Sequence, residues 1–174
     1  PWGIAWVVMN DGSLLSFTPH SSTGGAWARH DTEGGIVLAI CAIPEDDEDA
    51  VYLLVQRNLE GAEKYCIERM HSRVRRGNAE DDAAVDCALR FSYPADPTLV
   101  EFGPVVPHLA GKEVWVVAKG AAPIGPLTVG AAGEVTVPEG LAANHDNETV
   151  LFIGLKFTAD IETLDVITSD SKMK

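Results

Sequence analysis

Short β-prone runs cut by turn residues constrain this chain more than any other feature of it. Ile4–Asn10 (IAWVVMN) is followed by Asp11-Gly12 and then by Leu14–His20. Asp-Gly between two apolar runs is the strongest short-range hairpin signal, because both central positions of a type I′ turn need positive φ. Ser21–Gly25 reads as a loop and Ala26–His30 as a further short strand, broken by Gly34-Gly35. Ile36–Ile43 is a continuous apolar run, the pattern of a strand buried on both faces, and Pro44 is expected to end it. Glu45–Asp49 must then be a solvated hairpin turn, since five like charges repel and cannot be packed. Val51–Arg57 resumes as a strand, and Asn58–Glu63, with Gly61, is a second hairpin connection. Lys64–Met70 returns with Tyr65 and Ile67 on one face and Lys64 and Glu68 on the other, the alternation of a half-buried strand.

The rest repeats the β pattern with more proline. His71–Asp86, with Arg73, Arg75 and Arg76 ahead of Gly77-Asn78 and Glu80-Asp81-Asp82, is a polar connector, and Glu80–Leu89 leaves room for one helical turn. Leu89–Tyr93, Thr98–Phe102, Glu113–Lys119, Leu127–Val129, Glu134–Pro138, Glu148–Phe157 and Ile161–Ile167 are strand candidates, with a hairpin-like turn at Gly130–Gly133. Helix-length amphipathic periodicity is nearly absent. The expected fold class is all-β: an antiparallel, propeller-blade-like meander over residues 1–76, a connector over 77–88, a small barrel-like or sandwich-like β-domain over 89–168 and a polar tail over 169–174. The sequence starts without Met and ends on that tail, so it is expected to be a piece of a longer polypeptide.

Of the 174 residues, 26 are acidic and 13 basic, a formal charge of -13. So few dispersed cations cannot displace counterions from nucleic acid, nor hold an anionic membrane surface. No apolar run approaches the ~20 residues that span a bilayer, and no signal peptide is visible. Cys41, Cys66 and Cys87 form no CxxC pair and no metal pattern. Cys41 and Cys66 are expected reduced and buried among strand side chains.

Each candidate for chemistry is weak. Asp46, Asp47, Glu48 and Asp49 lack the spaced acids and Gly of a calcium loop. His20 and His30 flank one loop, and Asp31 stands ready to orient the His30 imidazole, but no third ligand follows at metal spacing. Gly103 through Gly111-Lys112 has the wrong spacing for a phosphate loop, and Pro104 and Pro107 remove donors such a loop uses. Asn147-Glu148-Thr149 matches a glycosylation sequon without a secretion signal. Arg73, Arg75 and Arg76 suit salt bridges. Trp6, Trp27, Tyr52, Tyr65, Trp115, Phe152 and Phe157 sit in expected strands, where packing is the simpler use than a stacking platform. No catalytic, cofactor-binding or metal residue is assigned.

The order of these runs resembles the tail nozzle, or tail tubular, proteins of short-tailed bacteriophages. Asp11-Gly12 with Leu14–Thr18 resembles a "DG-L-L-x-L-T" strand, and Trp27 to His30 a "W-x-x-H" segment. Ile43-Pro44, Val51–Arg57 and Ile67-Glu68-Arg69 resemble the "I-P", "D-x-V-Y-x-x-V-x-R" and "I-E-R" elements that follow. Val85-Asp86 before a strand, His108–Val114, Val116–Gly120 (with Lys119 where the pattern has an acid) and Ile153-Gly154-Leu155 extend the match over nearly the whole chain. The resemblance implies a virion structural protein, made in the host cytoplasm. It also implies a propeller-like body with inserted β-domains, in a homo-hexameric ring around the DNA channel. Partners would be other copies, other tail proteins and DNA passing without specific binding; there would be no membrane insertion, catalytic residue or cofactor. The alternatives are a carbohydrate- or host-surface-binding β-module, which would expose Trp2, Trp27 or Trp115 along a groove, and a hydrolase that gathers His30 or His108 with a Ser and an Asp.

If Glu45–Asp49 is a metal-free exposed turn, replacing Asp46, Asp47 and Asp49 together by Asn should move stability by no more than about 0.5 kcal/mol per site. A calcium chelator should leave the melting temperature unchanged; a large drop would show a structural cation there.

Overall fold

The computed structural model describes residues 3–22, 24–46, 48–72, 85–94, 101–102, 106–118, 122–136 and 148–159. Its first turn forms because Asp11 serves as a local acceptor: its carboxylate takes the Ser13 N–H (3.0 Å) and hydroxyl (2.6 Å). Gly12 (φ 83) donates to the Met9 carbonyl, and Met9 N–H donates to the Ser13 carbonyl. Only glycine suits this turn, since a Cβ there would meet Ile36 Cβ at 2.5 Å. The loop is thus three residues with glycine in the left-handed region, not the expected two-residue type I′ turn. It joins β1 (Ala5–Val8) to β2 (Leu14–Thr18), and β3 (Ala26–His30) completes an antiparallel sheet in the order β1-β2-β3.

A second three-stranded meander follows, β4 (Gly35–Glu45), β5 (Glu48–Leu59) and β6 (Ala62–Arg69). The β4–β5 hairpin closes at Glu45 opposite Glu48, so a hairpin does turn within the acid run, but Glu45, Glu48 and Asp49 belong to the strands rather than to a five-residue turn. The type I′ turn lies one hairpin later, at Glu60 (φ 55) and Gly61 (φ 73) between Leu59 and Ala62. The fold is all-β and antiparallel, but among the described residues both meanders stay open, without closure into a propeller or barrel.

Two expectations for this sheet are overturned. β4 is an edge strand, not one buried on both faces: Ile36, Leu38 and Ile43 are 42%, 41% and 47% exposed, and only Val37 is buried. It also runs through Pro44, which an edge tolerates because its missing N–H has no inner partner to satisfy. β6 alternates as read but with its sides exchanged. Tyr65 and Ile67 face outward, 61% and 80% exposed, while Cys66 and Glu68 turn inward.

The second half forms a four-stranded antiparallel sheet in the order β10-β9-β12-β7. Its strands are β7 (Asp86–Pro94), β9 (Glu113–Ala118), β10 (Ile124–Thr128) and β12 (Glu148–Leu155); β8 (Glu101–Phe102) pairs with β11 (Val135–Thr136). The chain does turn at Gly130–Gly133, yet β11 pairs with β8 rather than folding back on β10. Residues 86–89 are strand, not helical turn. β12 is central, and Val150–Leu155 is the run buried on both faces. One side joins Val114, Val116, Val135 and Leu109 in the main core; the other packs Phe152 and Val150 with Val117. Leu59 and, at its margin, Cys66 belong to the same main core, so the second meander packs its inner face on this sheet. Residues 73–84, 95–100, 103–105, 137–147 and 160–174, which hold Arg73, Arg75, Arg76, most of the expected connector, the Ile161–Ile167 strand candidate and the expected polar tail, lie outside the described residues.

Arg57, 1% exposed, fixes which face of β5 turns inward. Its Nε and Nη2 donate to the two carboxylate oxygens of Glu68 on β6 (2.5 and 2.8 Å). Nη1 donates to the Glu33 carbonyl (2.6 Å), and Nη2 also reaches Thr32 Oγ1 (2.6 Å) and Asp86 Oδ1 (3.1 Å). The second oxygen of Asp86 takes the Thr32 hydroxyl (2.6 Å) and the Glu33 N–H (2.7 Å). Burial opposes the charge, but the Glu68 hydrogen bond and the Asp86 charge outweigh it and hold the guanidinium more firmly protonated than usual. Breaking such a buried pair from one side strands the other charges, at about 3–5 kcal/mol. Arg57→Met should therefore lower unfolding free energy in urea by about that amount, and a loss under 1 kcal/mol would show that the network does not hold these strands together.

Candidate functional site

The sequence candidates fold apart from one another. His20 Nδ1 meets Ser22 Oγ at 3.0 Å within its own loop. His30 Nε2 meets Ser16 Oγ at 2.8 Å across the β2–β3 pair, under a tilted ring contact with Trp6 at 5.2 Å. Asp31 pairs with Arg29 Nε (3.1 Å). Ser16–His30 has the separation of a nucleophile and its base, and sequence reading missed Ser16. The signal was strand alternation, which puts residues 14 and 16 beneath 28 and 30 once the register is known. Ser16 is 7% exposed, while His30 lies on the exposed strand β3. His108 Nε2 lies 3.4 Å from the Cys87 carbonyl, on a single 3₁₀ turn at Pro107–Leu109. That turn plugs the core with Leu109 and Val106, both 0% exposed, where a phosphate loop would open its backbone to solvent.

The acids flanking the β4–β5 turn are spent on a cation from the same sheet. Arg69 bridges Glu45 and Glu48 at 3.0 and 3.1 Å, and the Tyr52 hydroxyl donates to Glu45 at 2.5 Å. Tyr52 first and Arg69 second hold the Glu45 carboxyl below its ordinary range, and the same bond pushes the Tyr52 hydroxyl up. Among the described residues no three His, Cys, Asp or Glu side chains converge as metal ligands, and no helix is long and apolar enough to cross a membrane. Asp47, Asn147, Gly103, Pro104 and Trp2 lie outside the described residues.

Most aromatics are consumed by packing. Trp115 covers Gly125, where a Cβ would sit 2.7 Å from the indole, and Lys156 Nζ stands 5.7 Å from the ring centre. Phe152 is buried with His71 at its edge, 6.2 Å away. Trp27, Tyr65 and Phe157 are the contrast, 60%, 61% and 45% exposed, and Trp27 is tilted against Phe17 at 4.9 Å. A groove of about 430 Å³, open to solvent, is lined by Gly34, Gly35, Ile36, Gln56, Arg57, Asn58 and Glu63, without Trp27.

What stands out is apolar surface rather than a pocket. Alternation in the second meander sends Ala39, Cys41 and Ile43 of β4, Leu54 of β5, and Tyr65 and Ile67 of β6 to its outer face. Alternation in the first sends Val7 (40% exposed), Leu15, Phe17 and Trp27 to one face as well, with Trp6, Leu14 and Ser16 on the other. Scattered exposed apolar side chains are ordinary; contiguous ones on a sheet face mark a contact surface. Cys41, expected buried, is exposed because it sits on that outer face of an edge strand. Cys66 is half-buried at the core margin.

No protein-family model matches the chain, and no curated protein matches it.

The three thiols are free and differ in setting. Burial pushes the Cys87 thiol up to about 12, against the opposing pull of Arg57. A maleimide added to the native protein at neutral pH should modify Cys41 first and Cys87 only on unfolding, read by peptide mass. Equal rates at the two would show that the outer face of β4 is covered or that the core around Cys87 is open.

Proposed function

We propose that this chain is a structural and assembly module, a segment of a tail nozzle or tube subunit of a short-tailed bacteriophage that helps form a ring around the DNA channel. The observation that carries the assembly role is the outer face of the second meander, where Ile67 and Tyr65 stand 80% and 61% exposed beside Cys41, Ile36 and Ile43. Exposed apolar side chains gathered on one sheet face are the kind of surface a partner covers. The phage assignment rests on the order of motifs along the sequence. The charge of -13 supports a channel role, since an acidic wall repels DNA phosphate and lets the duplex slide without sticking. A glycan-binding reading draws on Trp27 alone, whose open ring is the kind of platform a sugar stacks on; it stands on a sheet face rather than along a groove.

Sedimentation of this chain beside a longer one carrying its flanks, with and without other tail proteins, tests the role. The expected outcome is a 174-residue chain that is monomeric or weakly associating and a longer one that closes into a ring, alone or on docking to the tail. A longer chain that stays monomeric with its tail partners, or turnover of a glycan or ester by either form, overturns it.

A further inference from the structure

Both meanders leave one apolar face open, and the two faces differ in charge. On the first sheet Trp27 and Phe17 stand beside Arg29, which alternation places on the same face two residues from Trp27. Arg29 is 60% exposed and its partner Asp31 68%, so solvent screens that pair and leaves the cation available. On the second sheet Tyr65 and Ile67 stand beside Glu63, whose carboxylate takes the Tyr65 hydroxyl, and one end of the face carries Glu45 and Glu48 against Arg69. Two copies meeting through the second face alone would set one acidic rim against another. A copy offering its first face sets Arg29 toward the Glu63 rim and Trp27 toward Tyr65 and Ile67.

The edges point the same way. β4 carries a bulge between Val37 and Ala39 and Pro44 near its end, both of which spoil pairing with an added strand. On the β4 side of the sheet, contact through the face is what remains. We propose that the outer face of β4–β5–β6 seats the Trp27 face of β1–β2–β3 from a second copy of this chain. The contact is heterologous, so each copy keeps one face of each kind free, and repetition gives a ring or a filament. This rests on the assembly reading above and names the surfaces that perform it.

Two single variants separate this arrangement from its rivals: Trp27→Glu spoils one face and Ile67→Glu the other, both on exposed positions that leave the core and the Arg57 network in place. In sedimentation of the chain across concentrations up to about 1 mM, where weak contacts of this class are populated, the wild type should associate and each variant alone should not. An equimolar mixture of the two variants should recover a dimer and nothing larger, because only one good junction can form, and Cys41 alkylation should slow in that mixture on the Trp27→Glu copy. Wild-type protein that stays monomeric across the range overturns the inference, while the ring role still stands or falls on the flanked chain. Loss of association in Ile67→Glu but not in Trp27→Glu shows a like-with-like contact and overturns it too. Association untouched by both variants places the contact on another surface, against the inference and in keeping with the assembly reading.

Discussion

A buried guanidinium organises this fold. Arg57 is 1% exposed, so its charge needs protein acceptors, and these come from three separate stretches: Glu68 on β6, Thr32 and Glu33 in the loop before β4, and Asp86 at the start of β7. The consequence is geometric more than energetic, since an apolar substitute of the same shape can be as stable as a buried ion pair. Charge cannot be satisfied by approximate packing. Glu68 must face inward to meet Arg57, and strand alternation then sends Ile67 and Tyr65 outward. The unusual exposure of those side chains is thus the far end of a polar constraint on the other side of the sheet. Asp86 ties the meander to the four-stranded sheet, and Leu59 and Cys66 continue the join as apolar contact.

Strand positions were legible in the sequence because period-two alternation and turn residues are local signals. Asp11-Gly12, Glu45–Asp49 and Gly61 each mark a real hairpin. What the sequence does not carry is which neighbour a strand receives. Ile36–Ile43 and Val150–Leu155 are both apolar runs of strand length, yet one lies at an edge and the other at a sheet centre. The decision belongs to contacts between residues far apart in the chain. The same holds for β6: hydrophobicity alone would turn Tyr65 and Ile67 inward, and only the partnership of Arg57 with Glu68 and Asp86 reverses it. Ser16–His30 was hidden for the same reason, since an i to i+14 contact exists only once β2 and β3 are in register. Of the open faces, the sequence offered their residues without their exposure.

The placement of charge separates two roles for the acids. Some are committed internally: Glu68 and Asp86 to Arg57, Glu45 and Glu48 to Arg69, Asp11 to the first turn. The exposed pairs among these add little stability, since two solvated side chains give up entropy for a weak, screened attraction. Their effect is local neutralisation. Arg69 between Glu45 and Glu48 lowers the field at one end of the outer face of the second meander. An apolar surface can accept a partner only if the surrounding charge does not repel it first, and a chain at -13 repels a copy of itself at long range.

That long-range repulsion and the short-range apolar contact act over different distances. At physiological ionic strength the screening length is about 8 Å, so net charge slows encounter while barely touching surfaces already in contact. An assembly built on two such faces would therefore form slowly from dilute monomer but hold once formed, and it would gain most from anything that raises local concentration, such as a common platform or a covalent link to further chain. The same repulsion that slows encounter between copies also keeps phosphate off their common surface. Under the proposed role, assembly and an unobstructed channel place the same demand on this sequence: acids spread over the outside, Arg57 and Arg69 paired with carboxylates, and apolar side chains gathered on two sheet faces.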